Sequence, residues 1–201
     1  MTGDPRPAAP AELNEVVHLF ADAFVDDAMI TWPLRGPRPT DVTSMFSILI
    51  GEAYGPIDAV WVAGVDDVAR VDGAAVWLAP DDAARFVEID AATRPKMAAL
   101  TDDGGARYAR FWDWIDAHLP DGSCWFLDIL AVREAARGRG LASALVGHGL
   151  EQARAAGVPA VLETGNPANV PMYEHLGFRV VEQSEAPDGG PTIWFLRADP
   201  A

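Results

Sequence analysis

The chain has 201 residues, with 30 acidic and 15 basic side chains and a formal charge of −15. Half of it is apolar and 22% is charged, a globular composition that suits one domain over residues 1–201. So acidic a chain is no general nucleic-acid binder, which needs a cationic face.

Residues 1–10 are rich in Pro and Ala and are expected to form a partly ordered arm leading into a short first strand. Leu13, Val16, Val17, Phe20 and Phe24 recur at helical spacing and predict a helix over 11–26. Pro33, Pro37 and Pro39 mark a loop. A second helix is predicted over 40–54, with Met45, Phe46, Leu49 and Ile50 inward, and Gly55 and Pro56 stop it. Residues 59–65 and 73–79, rich in Val, Trp and Ala, predict an antiparallel hairpin across a turn-like 66–72. Residues 81–119 read as helical, with a break near 101–105. Residues 124–132 form an apolar run without Gly or Pro, the signature of a central strand. A helix over residues 141–156 starts at a Gly-rich turn and ends at Gly157. A short strand (160–163), a short helix (169–176) closed by Gly177, and two strands (178–184 and 192–197) complete the chain. No internal repeat is present.

The uncharged stretches 42–51 and 141–150 are too short to span a bilayer. No basic segment followed by an apolar run opens the chain, so a secretory leader is not expected and the expected location is cytoplasmic. One cysteine, Cys124, excludes a disulfide framework and a multi-Cys zinc site, and reads as a small buried hydrophobe. His18, His118, His148 and His175 lack metal-ligand spacing, so no metal is expected.

The chemistry is concentrated after residue 124. The strand ending Leu130-Ala131-Val132 runs into Arg137-Gly138-Arg139-Gly140-Leu141-Ala142 and then a helix. A helix N-terminus offers unpaired N–H groups and the positive end of its dipole, and glycines let backbone approach an anion closely. The turn is therefore a candidate pyrophosphate site. It is a poor Rossmann fingerprint, because Ser143 stands where the third glycine belongs. It is a poor P-loop, because Lys96 is the sole lysine of the chain.

The spacing Arg137-x-x-Gly140-x-Ala142 resembles the acetyl-CoA signature of the GCN5-related N-acetyltransferase (GNAT) superfamily. A second stretch, with Asn166, Asn169, Tyr173, Gly177 and Phe178, resembles that superfamily's later N-x6-Y-x3-G-F motif. The segments 124–127, 158–164, 169–178 and Ile193-Trp194, with Trp61 and Trp77 upstream, resemble the puromycin N-acetyltransferase-like branch. The resemblance implies an α/β (α+β) fold. Its central sheet would be mixed and mostly antiparallel, with six to seven strands flanked by helices and a splayed parallel pair at the cofactor cleft.

It also implies roles. Pantetheine would add to the sheet along Leu130, Ala131 and Val132, and the Leu130 N–H would polarise the thioester carbonyl. Backbone N–H groups of Gly138, Arg139, Gly140, Leu141 and Ala142 would hold the pyrophosphate, with Arg137 and Arg139 adding charge. Asn166 and Asn169 would contact pantetheine or orient their loop. Tyr173 would protonate the departing thiolate. Asp128 is the favoured general base, since alternation would place it on the same strand face as Leu130; Glu163 is the rival, and either could instead bind a cationic substrate. Phe111, Trp112 and Trp114 are core packing or the wall of an acceptor pocket.

The function implied is transfer of the acetyl group of acetyl-CoA to a small amine of antibiotic-like, aminonucleoside-like or amino-acid-like type, by a monomer or homodimer. The alternatives are a non-catalytic acyl-CoA sensor and a protein N-terminal or lysine acetyltransferase. Residues 1–123 carry 21 acidic and 9 basic side chains, against 9 and 6 in the rest. The acidic part would attract a cationic acceptor, and Arg133, Arg137 and Arg139 would gather at the anionic cofactor.

Overall fold

The computed structural model describes residues 3–34, 38–65, 70–120 and 122–200. Pro37 and residues 66–69 of the expected turn lie outside them. Seven strands form one sheet in the order β1-β2-β3-β4-β5-β7-β6. They are β1 (Arg6–Pro7), β2 (Val60–Ala63), β3 (Gly73–Leu78), β4 (Trp125–Val132), β5 (Ala160–Thr164), β6 (Arg179–Glu185) and β7 (Thr192–Ala198). Every neighbouring pair is antiparallel except β4 and β5. The expected sheet is therefore present, and the N-terminal arm joins it. Arg6 donates to both carboxylate oxygens of Glu12, at 2.8 and 2.6 Å, and ties the arm down.

Helices cover both faces, which is why β3 is buried along its whole length. On one face lie α1 (Leu13–Phe24) and α3 (Pro39–Ile48), whose Val16, Phe20, Met45 and Phe46 share a core with Ile129 and Ala131 of β4. Between them is a short helix, α2 (Ala28–Thr31), that was not expected. Asp27 caps it, accepting from the Met29 N–H at 2.8 Å. The expected break near 101–105 separates α4 (Ala83–Ala98) from α5 (Ala106–Asp116). On the other face lie α6 (Leu141–Ala156) and the short α7 (Val170–His175). Leu141, Leu145, Val146, Gly149 and Ala153 form the buried stripe of α6. Gly157 ends α6 in the left-handed region at φ 67°. Among the described residues no helix is long and apolar enough to cross a membrane.

Two details depart from the sequence reading. The second helix is not uniform: after α3, residues Leu49–Tyr54 are π-helical, and the Gly55 N–H donates to the Ile50 carbonyl. This segment carries Tyr54 inward, and Lys96 of α4 makes an ion pair with its Glu52. The second detail is the closeness of α6 to the sheet. The Trp77 indole N–H donates to the Leu145 carbonyl at 3.1 Å, and a Cβ at Gly149 would stand 2.1 Å from the Trp77 ring. Gly149→Ala should therefore lower the melting temperature by an overpacking cost of about 1–3 kcal/mol, although alanine is the better helix former. A thermal melt that rose instead would show that the helix can move outward freely.

Candidate active site

The parallel pairing of β4 and β5 ends early. Trp125, Phe126 and Leu127 pair with Ala160, Val161 and Leu162, and there the ladder stops. The strands then diverge, as the sequence reading expected. Asp128 and Glu163 are the first residues past the last paired rung.

On its other side β4 carries a bulge. Val76 faces Ile129 and Trp77 faces Leu127, so Asp128 is the extra residue. This corrects the expectation that Asp128 and Leu130 share a face. Leu127 and Leu130 pack with the α6 side of the sheet, whereas Ile129 belongs to the α1/α3 core. The Asp128 side chain lies on that α1/α3 face as well, where its Oδ2 accepts a hydrogen bond from the Tyr54 hydroxyl. A bulge breaks strict alternation, which is why counting by twos failed here.

Tyr54 was not singled out by sequence. It is buried, and its ring stacks on Phe86 at 5.4 Å between centroids. The only hint was general: a tyrosine turned inward needs a partner for its hydroxyl. Across the fork, Glu163 is 9% exposed, and its Oε2 has no hydrogen-bond partner.

Burial sets the protonation of this group. It pushes Asp128 up to about 6, even though the Tyr54 hydrogen bond pulls the other way. Glu163 is raised well above the usual carboxylate range by burial, then by the charges of Asp128 and Asp116. Burial, followed by Glu163, likewise raises the Tyr173 hydroxyl and keeps it protonated. The linkage has a definite sign. The unfolded chain ionises Glu163 near 4.3 while the folded chain holds the proton, so this group's contribution to stability falls as pH rises from there toward its raised value. Glu163→Gln removes that decline. Its melting temperature should exceed the parent's by a margin that widens as pH rises above about 5; a constant margin would contradict the assignment.

All these groups line one cavity of about 550 Å³, together with Leu130, Thr164 and Asn169. The size is typical of small-molecule sites. Its remaining walls come largely from the acidic first part of the chain: α1, α2, α3, the π-helical segment, α4 and α5. Of the three candidate aromatics, Trp112 lines the cavity, Phe111 is core, and Trp114 packs edge-on against Phe195. Cys124 is half-buried and lines the cavity too, rather than being fully enclosed. Burial raises its thiol above the ordinary value.

Ala131, Val132 and the turn of residues 137–142 lie beyond this cavity, at the C-terminal end of β4. The turn has the form an anion needs. Gly138 and Gly140 have φ 74° and 84°, which glycine adopts freely, and a Cβ at either would meet no atom within 4 Å. Gly140 is the N-cap of α6 and supplies no side-chain cap to the first-turn N–H groups. This open backbone beside a splayed strand has room for the expected pyrophosphate.

The expected gathering of Arg133 with Arg137 and Arg139 is corrected at Arg133. Arg133 turns away, its Nε donating to the Val71 carbonyl and its terminal nitrogen to Glu15, both at 2.9 Å. Arg137 is exposed, with its Nε 3.4 Å from the Val132 carbonyl. Asn166 is exposed, and its side chain accepts from the Ala168 N–H at 3.0 Å, which orients its own loop. Among the described residues no group of three or more His, Cys, Asp or Glu could hold a metal ion.

A seven-stranded mixed sheet that splits at one parallel pair and is flanked by helices is the α/β architecture of acetyltransferases. Residues 70–178 match the acetyltransferase (GNAT) family, and the chain belongs to it. The family generally uses acetyl-CoA. The structure is similar to a histone acetyltransferase HPA2 and related acetyltransferase of Corynebacterium glutamicum, at 25% identity and TM-score 0.74, covering 100% of this chain and 98% of that one. It shares its fold with arylalkylamine N-acetyltransferase 2 of Aedes aegypti, at 12% identity and TM-score 0.65, over 100% and 99% of the two chains. It likewise shares the fold of an agmatine N-acetyltransferase, at 14% identity and TM-score 0.60, over 99% and 100%.

Proposed function

We propose that the protein moves the acetyl group of acetyl-CoA directly onto a small primary amine. One observation carries this reading: Asp128, Glu163 and Tyr173 converge on one cavity where β4 and β5 part. Backbone along Leu130, Ala131 and Val132 would pair with pantetheine, and the N–H groups of residues 138–142 would hold the pyrophosphate with Arg137 and Arg139. Asn169, on the cavity wall, would meet the thiol end of the arm.

The proton path follows from the protonation states. Asp128, ionised above about pH 6, takes a proton from the incoming ammonium. The neutral nitrogen then attacks the carbonyl carbon, while the Leu130 N–H holds the carbonyl oxygen. As the C–S bond breaks, Tyr173 gives its proton to sulfur and recovers one from the new amide nitrogen. The balance is one amide, one thiol and one released proton.

The test is release of free thiol from acetyl-CoA over a panel of amines, first those of antibiotic, aminonucleoside and amino-acid type. Amine-dependent release is expected. Acetyl-CoA alone should raise the melting temperature, by about 2.7 kcal/mol of stability at a hundredfold excess over Kd. No shift at millimolar acetyl-CoA would refute the cofactor assignment.

A further inference from the structure

We infer that the acceptor is an amine with one aryl or alkyl body and no anionic group. The inference rests on the acetyltransferase reading only in taking this cavity as the acceptor site. Phe24, Phe46, Phe86, Tyr108, Trp112 and Phe126 all contribute to its lining, so the body that fills it is apolar.

The acids inside outnumber the bases. Asp27, Asp90, Asp116 and Asp128 line the cavity, with the protonated Glu163 beside them. Arg94 is the only cation among the described lining residues, and it is held by Asp90 at 2.6 Å and by Asp113 at 3.0 Å. A carboxylate or phosphate on the acceptor would be buried among carboxylates with no cation free to receive it. An ammonium, in contrast, finds Asp128 and the unpartnered Glu163 Oε2 at the fork. Together these features favour phenethylamine over phenylalanine, which differs by an added carboxylate. They also favour it over ethylamine, which lacks the apolar body. Of the acceptor types suggested by sequence, the inference disfavours amino acids that carry a free carboxylate.

The experiment has two arms. Calorimetry follows binding of phenethylamine, phenylalanine and ethylamine to the protein saturated with CoA. A thiol-release assay follows kcat/KM for the same three with acetyl-CoA. Phenethylamine is expected to exceed each of the others by at least about thirtyfold in both, in line with the cost of an unpaired buried charge or a lost apolar body. Phenylalanine equal to or better than phenethylamine would overturn the inference, as would no phenethylamine binding at millimolar concentration. If no amine is acetylated, the acetyltransferase reading fails, while calorimetry still decides the inference on its own.

A variant locates the body. Val87 is on the cavity wall and 67% exposed, so Val87→Arg should fold normally. The new cation should shift the phenylalanine-to-phenethylamine ratio about tenfold toward phenylalanine, by pairing with its carboxylate. An unchanged ratio would overturn the placement of the acceptor in this cavity.

Discussion

Asp128→Asn should lower kcat/KM by about 10²–10⁴-fold at neutral pH, the range for removing a general base. The amide fills the same space and can still accept from the Tyr54 hydroxyl, so the fold should persist. What it cannot do is take a proton. The parent's kcat/KM should rise with pH through an apparent value near the raised Asp128 range, about 6, and the variant should lose that limb. The apparent value belongs to the Asp128–Glu163 pair rather than to one residue.

In the proposed mechanism Tyr54 is a positioning residue. Its hydrogen bond opposes the burial that raises Asp128, with Tyr108 of α5, Asp116 of α5 and Glu163 of β5 completing the nearby titratable groups. Tyr173 of α7 and the Asp90–Arg94 pair of α4 also face this cavity. Tyr54→Phe should thus move the acidic limb to higher pH and leave turnover at pH 9 near the parent's, which loss of packing alone would not do. A full-rate Asp128→Asn enzyme would remove Asp128 from the chemistry.

Tyr173→Phe should reduce kcat by a similar factor, about 10²–10⁴-fold, while the Kd of acetyl-CoA changes little. The ring stays edge-on to Phe178, at 6.0 Å between centroids, so packing is retained. In the proposed mechanism the lost hydroxyl is the donor to sulfur as the C–S bond breaks. Acceptors are unaffected in binding on this account, because their ammonium meets Asp128 and Glu163. Undiminished turnover would assign leaving-group protonation to water.

The part of the fold after residue 124 was the most legible, and the reason is local. The β4 run has no breaker, the α6 stripe repeats every three to four residues, and Gly140 and Gly157 sit in left-handed conformations at its two ends. Tyr173, singled out by its contiguous motif, and Glu163, at the end of the facing strand, both line the cavity. The bulge at Asp128 was not, since Trp125 to Val132 contains nothing that marks one residue as extra; its position depends on the β3 ladder. Tyr54 escaped for a related reason. Its partner lies 74 residues away, and the π-helical turn that aims it follows an unremarkable α-helical pattern. Arg133 looked like part of a cationic cluster by spacing alone, whereas Glu15, 118 residues away, decides where it points.

Lys96 supplies one last consequence. It is the chain's single lysine, against fourteen arginines, and its amine is engaged by Glu52. Thioesters modify free amines without any catalyst, and a guanidinium stays protonated and inert under the same conditions. A protein that held an acetyl thioester close to its own surface would therefore present one side-chain amine for accidental acylation. Losing that charge would take the formal total from −15 to −16 and cost one exposed ion pair. Mass spectrometry after prolonged incubation with acetyl-CoA should find acetyl-lysine on this chain at Lys96 at most, and little of it, whatever its acceptor.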